Sequence, residues 1–169
     1  MTPRAAAFLD RDGVLNERPP EHDYVRAVDD LVVLPGAPEA VARLAEAGYT
    51  PVVVSNQRGI ARGLVSWETL TAIEERLTAL AGTPIAFYYC PHDHADACDC
   101  RKPAPGLLLR AAKDLGLDLA ASVMLGDSES DIEAGKAAGT RTIRVAPSGT
   151  ATAADALVPD LAAAADWLL

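Results

Sequence analysis

Two aspartates, Asp10 and Asp12, are the first residues in this sequence whose types and spacing could do chemistry. They lie in the stretch D-R-D-G-V-L-N at 10–16, directly after the apolar run at 5–9. Two carboxylates this close repel each other unless a cation or a shared proton relieves them. Because carboxylate and water oxygens suit Mg²⁺, the pair indicates a magnesium site. The alternative is an ordinary turn, since Asp-Gly pairs are common in turns.

Three more polar segments follow apolar runs farther along the chain, and each holds a residue type that phosphate chemistry needs. They are Ser55-Asn56-Gln57-Arg58, Arg101-Lys102-Pro103 and Gly126-Asp127-Ser128-Glu129-Ser130-Asp131. A small hydroxyl and backbone N–H groups can hold phosphate oxygens, a lysine can neutralise them, and an aspartate can hold a metal. Each segment alone is a weak signal, because a polar turn explains it equally well.

The chain around these segments predicts strands that alternate with helices. Apolar or β-branched runs predict strands at 5–9, 49–54, 84–89, 122–125 and 141–145. Helices are predicted to begin near 37, 67, 106, 129 and 160, and the apolar face of the second is Leu70, Ile73, Leu77 and Leu80. The run at 5–9 lacks polar alternation, which indicates a strand buried on both faces. Parallel β-α-β units would bring all four polar segments to one edge of the sheet.

A cysteine-rich loop at 90–100 offers three thiolates and two imidazoles. Its Cys-x-His and Cys-x-Cys arms can close a tetrahedral zinc site. The predicted ligands are Cys90, His92, Cys98 and Cys100, with His94 as the alternative to His92. Since the protein fills all four positions, the zinc would be structural and would fix the residues that follow, Arg101 and Lys102. Free cysteines beside a polar loop are the alternative.

The composition narrows the classes of partner. The chain has 24 acidic and 15 basic side chains, and its formal net charge of −9 repels nucleic acid and anionic membrane surfaces. A phosphorylated ligand would therefore need local cations, a metal or backbone N–H groups. No apolar run approaches the ~20 residues of a membrane span, and residues 1–4 lead into a strand rather than a signal peptide. We expect a cytoplasmic monomer in which residues 1–169 form a single domain around a single core.

The four polar segments, taken in order, resemble the motifs of the haloacid-dehalogenase-like phosphatases. The matching stretches are D-R-D-G-V-L-N, S-N-Q, R-K-P and G-D-S-E-S-D, and they span Phe8 to Asp131. The resemblance implies a Rossmann-like, three-layer, doubly wound parallel α/β sheet and a Mg²⁺-dependent route through an aspartyl-phosphate. It also implies a role for each matching residue: Asp10 as nucleophile, Asp12 as acid and base, Ser55 as phosphate-binding residue, Lys102 as cation and Asp127 as metal ligand.

The expected site residues fall into three groups. The catalytic group is Asp10, Asp12, Ser55 and Lys102, and the magnesium ligands are Asp10, Asp12 and Asp127. Asp131 is expected to orient the metal ligands or Lys102, unless it is a solvated acid favoured by the helix dipole. The expected substrate contacts are Arg11, Tyr24, Asn56, Gln57, Arg58, Arg101 and Ser128. The spacing leaves no room for a separate cap domain, so specificity must come from 17–26, 58–65 and the cysteine-rich loop.

The cysteine-rich loop leading into C-R-K-P resembles one branch of this family, which contains heptose bisphosphate phosphatases and histidinol phosphatases. The runs at 60–63 and 101–106 are more similar to the heptose enzymes, and the compact loop is more similar to the histidinol enzymes. We favour a heptose bisphosphate, a small phosphorylated sugar, as the substrate. Arg101 could bind its second anion in a bidentate manner, unless this arginine pairs with Asp99.

Two other classes of function are the alternatives to an enzyme. A non-catalytic module could dock a partner through a zinc-bound loop, but the nucleophile and the lysine that such a module would lack are both present in the sequence. A zinc-dependent nucleic-acid binder would need a basic stripe, which the acidic balance of the chain opposes.

Overall fold

In a computed structural model of the chain, which describes residues 2–169, six strands form a parallel sheet in the order β3-β2-β1-β4-β5-β6. The strands are β1 (Ala6–Leu9), β2 (Thr50–Asn56), β3 (Ala86–Cys90), β4 (Val123–Gly126), β5 (Arg141–Val145) and β6 (Ala156–Val158). All four residues of β1 are buried, which its lack of polar alternation predicted.

The direction in which strands are added to the sheet reverses at β1. The chain runs from β1 outward to β2 and β3, and then returns to place β4 on the other side of β1. Phe8 of β1 consequently pairs with Val52 on one side and with Met124 on the other. In open α/β sheets this reversal leaves a crevice outside the carboxyl ends of the strands, and ligands bind there.

Helices cover both faces of the sheet, as the three-layer prediction requires. They are α1 (Ala37–Glu46), α2 (Trp67–Ala81), α3 (Gly106–Leu115), α4 (Glu129–Ala138) and α5 (Leu161–Leu168), with short 3₁₀ helices at Val28–Asp30 and His94–Asp96. Ser66 caps α2 as its sequence position suggested, because its hydroxyl accepts a hydrogen bond from the Thr69 backbone N–H at 3.1 Å. No helix within residues 2–169 has both the length and the apolar character that crossing a membrane requires.

The sheet divides the buried apolar residues into two clusters, so the expectation of a single core was wrong. Helices α1, α2 and α5 pack on one face, where Leu9 of β1 lies. Helix α3 and part of α4 pack on the other face, where Phe8 lies. Successive side chains of a strand point to opposite faces, and the central strand therefore contributes to both clusters.

Two details of the fold differ from the sequence predictions. The edge strand β6 was not predicted, because three residues in an alanine-rich stretch give no periodicity to detect. Leu80 was predicted to be core but is 51% exposed. At 100° per residue Leu80 lies at the margin of the apolar face of α2, and Ala81, 6% exposed, takes the buried position instead.

This difference within one helix predicts unequal effects of the same substitution. Leu77→Ala removes a side chain that is 3% exposed and should lower the free energy of unfolding by about 2–5 kcal/mol. Leu80→Ala in the same helix should lower it by less than about 1 kcal/mol, since little apolar surface is lost. Urea denaturation of both variants checks this, and equal losses would contradict the placement of α2.

Candidate active site

The carboxyl edge of the sheet brings three aspartates together. Asp10 directly follows β1, Asp127 directly follows β4, and Asp131 lies in the first turn of α4. One carboxylate oxygen from each lies within 4.8 Å of the others. Residues that are up to 121 positions apart in the sequence therefore form a three-carboxylate cluster, and oxygen clusters of this kind suit Mg²⁺.

Lys102 is buried against this cluster and uses every hydrogen of its ammonium group. Its Nζ donates to Asp10 Oδ1 at 2.9 Å, to Asp131 Oδ1 at 2.6 Å and to the Val54 carbonyl at 2.8 Å. Burial disfavours the charged form, but the carboxylates of Asp10 and Asp131 outweigh it and raise the pKa of Lys102 above its usual range. The lysine therefore stays protonated and lies where the sequence predicted a cation.

The three carboxylates of the cluster face a single buried cation, Lys102. Burial, and then repulsion by Asp131, raise the pKa of Asp10 well above its usual range, although Lys102 opposes this. Burial also raises the pKa of Asp127. Within residues 2–169 the buried Asp127 Oδ1 has no hydrogen-bond partner, and Oδ2 lies 3.2 Å from the Nε of the half-exposed Arg18. A divalent cation among these carboxylates would satisfy both the charge and the orphaned oxygen.

Two glycines allow the carboxylates to approach this closely. A Cβ at Gly13, whose φ is +89°, would lie 2.0 Å from Asp127 Oδ2. A Cβ at Gly126 would lie 2.2 Å from the Asp131 Cβ. The sequence left an ordinary turn open as the alternative at Asp12-Gly13, and the structure shows that Gly13 also provides space for Asp127, the acidic residue that follows β4.

Asp12 lies beside the three-carboxylate cluster and not in it, which differs from the predicted magnesium ligands. Its Oδ1 accepts hydrogen bonds from Arg11 Nε at 3.1 Å, from Arg11 Nη2 at 2.9 Å and from Asn16 Nδ2 at 2.9 Å. All three bonds end on Oδ1, and Oδ2 is left for a group bound in the adjoining cleft.

Two expected substrate contacts, Arg11 and Gln57, are instead buried. Arg11 is 0% exposed and holds Asp12, so its guanidinium cannot reach a substrate. Gln57 is also buried, and its Nε2 donates to Ser55 Oγ at 2.9 Å. Ser55 is buried as well, but because it accepts this bond, its own hydroxyl hydrogen remains free to be donated to a phosphate.

Asn56 has a positioning contact that the sequence did not reveal. Its Oδ1 accepts from the Lys102 backbone N–H at 3.0 Å, and its Nδ2 donates to the Lys102 carbonyl at 3.2 Å. The side chain thus fixes the main chain of the lysine from both sides. The two residues are 46 positions apart, and their separation offers no periodic signal that could have suggested the pairing.

A cleft of about 520 Å³ opens above the cluster. Its lining includes the four remaining expected substrate contacts, Tyr24, Arg58, Arg101 and Ser128, together with Asn56 and with Arg18, which was not singled out from the sequence. Arg58 Nε donates to the Tyr24 hydroxyl at 3.1 Å, which joins two of the segments expected to give specificity. Three arginines at the rim of an otherwise acidic protein favour an anionic ligand.

The cysteine-rich loop forms a second candidate metal site. Ligand atoms of Cys90, His92, Cys98 and Cys100 lie within 4.8 Å of one another, as predicted, whereas His94 points to Arg101. The sulfurs of Cys90 and Cys98 are 3.6 Å apart, close to the ~3.8 Å of a tetrahedral site with 2.3 Å Zn–S bonds. Against the effect of burial, hydrogen bonds from the Arg101 backbone and Cys90 lower the pKa of Cys98 to about 7, which favours its thiolate form. Burial raises the pKa of Cys90 and of Cys100, so in the absence of a metal these two thiols favour the protonated form.

This loop also positions Arg101 at the cleft. The arginine donates from Nη1 to the His92 carbonyl at 3.4 Å, and its Nη2 lies 3.1 Å from His94 Nε2. These contacts replace the pairing with Asp99 that the sequence left open. The position of an arginine that lines the cleft therefore depends on the conformation of the cysteine-rich loop.

Comparison with known proteins agrees with the resemblance seen in the four motifs. Residues 4–139 match the family described as haloacid dehalogenase-like hydrolase. The chain belongs to the haloacid dehalogenase-like hydrolases, which confirms the predicted family and fold class. The connections from β1 to β2 and from β2 to β3 each carry a single α-helix among the described residues, in agreement with a family member that lacks a separate cap domain.

Individual relatives in this family match over nearly the whole chain. A D-glycero-beta-D-manno-heptose-1,7-bisphosphate 7-phosphatase from Pseudomonas aeruginosa is 39% identical, over 98% of this chain and 98% of that protein. The enzyme of the same name from Escherichia coli is 38% identical, over 97% and 87%. A crystal structure of a D,D-heptose 1,7-bisphosphate phosphatase from B. bronchiseptica, complexed with magnesium and phosphate, has a TM-score of 0.84 and 36% identity, over 97% of both chains.

The two glycines with positive φ at 13 and 48 provide a matched test of the cation site. Gly13→Ala and Gly48→Ala both place a Cβ where φ is positive, at a cost of about 1–2 kcal/mol. Only the Cβ at 13 meets Asp127, since nothing lies within 4 Å of one at 48. Gly13→Ala should weaken Mg²⁺ binding at least about tenfold in isothermal titration calorimetry, and Gly48→Ala should not. Equal affinities would show that Asp127 does not hold the ion.

Proposed function

We propose that this protein is a Mg²⁺-dependent phosphomonoester hydrolase that releases the 7-phosphate of D-glycero-β-D-manno-heptose 1,7-bisphosphate. The proposal rests above all on one observation: Asp10, at the end of the central strand, is held by Lys102 beside Asp127 and Asp131. Relatives that are named for this reaction and are 37–43% identical to the chain support the choice of substrate.

Asp10 is oriented for nucleophilic attack through one of its two oxygens. Its Oδ1 accepts from Lys102 Nζ and from the Arg11 backbone N–H, each at 2.9 Å. Oδ2 is then the oxygen that attacks phosphorus, which forms an aspartyl-phosphate and releases the sugar hydroxyl. Hydrolysis of phosphate monoesters is among the slowest uncatalysed reactions, and a covalent intermediate divides it into two easier displacements.

Asp12 supplies the proton transfers of both displacements. With Oδ1 held by Arg11 and Asn16, its Oδ2 protonates the leaving sugar oxygen in the first step. The same oxygen then removes a proton from the water that attacks the aspartyl-phosphate. A carboxylate fixed at one oxygen keeps the other in place through both steps, and this reduces the orientational cost of catalysis.

The remaining groups bind the phosphate. Asp10, Asp127 and Asp131 would hold Mg²⁺, which when bound neutralises phosphate oxygens as charge builds up on them. Lys102 keeps its positive charge beside the same oxygens, and Ser55 offers its free hydroxyl hydrogen. Besides being a candidate ligand, Asp131 positions its neighbours, because it receives Lys102 on one oxygen and the Ser128 backbone N–H and hydroxyl on the other.

The second phosphate of a sugar bisphosphate would bind at the arginine-lined rim of the cleft. Arg58 and Arg101 are each held by a neighbouring loop, which reduces the entropy lost when they bind an anion. Zinc bound by Cys90, His92, Cys98 and Cys100 would be structural, since these four side chains complete a tetrahedral set. Its effect on catalysis would be to fix Arg101.

The reaction is tested by comparing kcat/KM for heptose 1,7-bisphosphate, fructose 1,6-bisphosphate and histidinol phosphate. The heptose ester should be preferred over histidinol phosphate by at least about tenfold, because histidinol phosphate leaves the rim arginines unpaired. Asp10→Asn should lower kcat on the order of 10⁴-fold, and Asp166→Asn, an exposed control, should leave it unchanged. A preference for histidinol phosphate would overturn the substrate, and an active Asp10→Asn would overturn the mechanism.

Variants of the two histidines in the cysteine-rich loop distinguish an effect on zinc binding from an effect on substrate binding. His92→Ala should reduce the zinc content measured by elemental analysis and lower the melting temperature, since it removes a ligand. His94→Ala should keep the zinc but raise KM for the bisphosphate, because it frees only Arg101. Full zinc content in His92→Ala, or zinc loss in His94→Ala alone, would contradict the predicted ligand set.

A further inference from the structure

Arg144 joins strand β5 to the turn that carries Asp127. It lies near the carboxyl end of β5, in register with Gly126 of β4. Its Nε donates to the Asp127 backbone carbonyl at 2.8 Å, and its side chain is 15% exposed. The arginine therefore contacts the main chain of Asp127 from the side of the turn that faces away from Asp10.

Glu129 fixes Arg144 in this position. Its Oε2 accepts from Arg144 Nη1 at 2.5 Å and from Thr152 Oγ1 at 3.0 Å, and its Oε1 accepts from the Ala153 backbone N–H at 2.7 Å. These contacts tie the arginine to the connection between β5 and β6.

The carboxylate of Asp127 has little else to hold it. Within residues 2–169 its Oδ1 has no hydrogen-bond partner, and the cation that its Oδ2 pairs with is Arg18, whose side chain is 58% exposed. The position of this carboxylate consequently depends strongly on its own backbone. Hydrogen bonds around a metal ligand that fix its orientation commonly affect metal affinity 10- to 100-fold.

We propose that Arg144 is a positioning residue for the divalent-cation site, and that Glu129 holds it in place. The arginine fixes the carbonyl of Asp127 so that the carboxylate is already in position when the cation arrives. Arg144 touches neither substrate nor cation in this arrangement, and it acts only through Asp127. The inference rests on the proposed Mg²⁺ site at Asp10, Asp127 and Asp131.

Substrate-free protein tests this inference by isothermal titration with Mg²⁺. Arg144→Met should raise the Mg²⁺ dissociation constant about tenfold, Arg144→Lys by less, and Glu129→Gln by an intermediate amount. Arg141→Met is the matched control, because Arg141 lies in the same strand but its exposed side chain donates to the Tyr49 hydroxyl, at 3.0 Å, and not to the turn of Asp127. It should leave the dissociation constant unchanged.

The outcomes distinguish this inference from the proposed function. In one outcome, Arg144→Met and Glu129→Gln lower the melting temperature but bind Mg²⁺ like the unmodified protein, and Asp127→Asn does not bind it. The positioning role of Arg144 is then wrong, and the phosphatase proposal stands. If the unmodified protein binds no Mg²⁺, both are wrong. Should Arg144→Met fail to fold, Arg144→Lys and Glu129→Gln decide the question, and unchanged affinity in both would overturn the inference.

Discussion

The buried ammonium group of Lys102 is the interaction on which the site depends. A buried charge is costly unless paired, and this one is satisfied by Asp10, Asp131 and the carbonyl of Val54. It therefore links the ends of β1 and β2 to the start of α4. Asn56 fixes the main chain of this lysine through two hydrogen bonds. The proposed nucleophile, Asp10, and its cation are thus part of one buried network.

The same network has more negative than positive charge. Three clustered carboxylates face a single buried lysine, and Gly13 and Gly126 leave the space that two of them occupy. The uncompensated negative charge of such a cluster disfavours the folded state, and a bound divalent cation would remove this repulsion. Cation binding and the stability of the fold are therefore linked. A metal bound by the cysteine-rich loop would act in a similar way at the rim of the cleft. It would fix the loop, and through the loop the position of Arg101, which is proposed to bind substrate.

Much of this arrangement could be predicted from the sequence, because parallel strands bring the segments after their carboxyl ends to one edge. That rule placed Asp10, Lys102 and Asp127 together without any contact information. It could not show which way a side chain turns at the strand end, and so it misplaced Arg11 and Gln57, which are buried. Pairings between distant residues, such as Arg144 with Asp127, have no periodicity and could be found only in the structure.

The central claim is that the phosphoryl group passes through Asp10 on its way to water. The most direct measurement is the stereochemical course at phosphorus, followed with a thiophosphate ester whose phosphorus carries two oxygen isotopes and which is hydrolysed in water of the third isotope. Two successive in-line displacements, the first by Asp10 and the second by water, each invert the phosphorus centre. The account predicts net retention of configuration in the released thiophosphate. Net inversion would mean a single direct attack by water and would contradict the account.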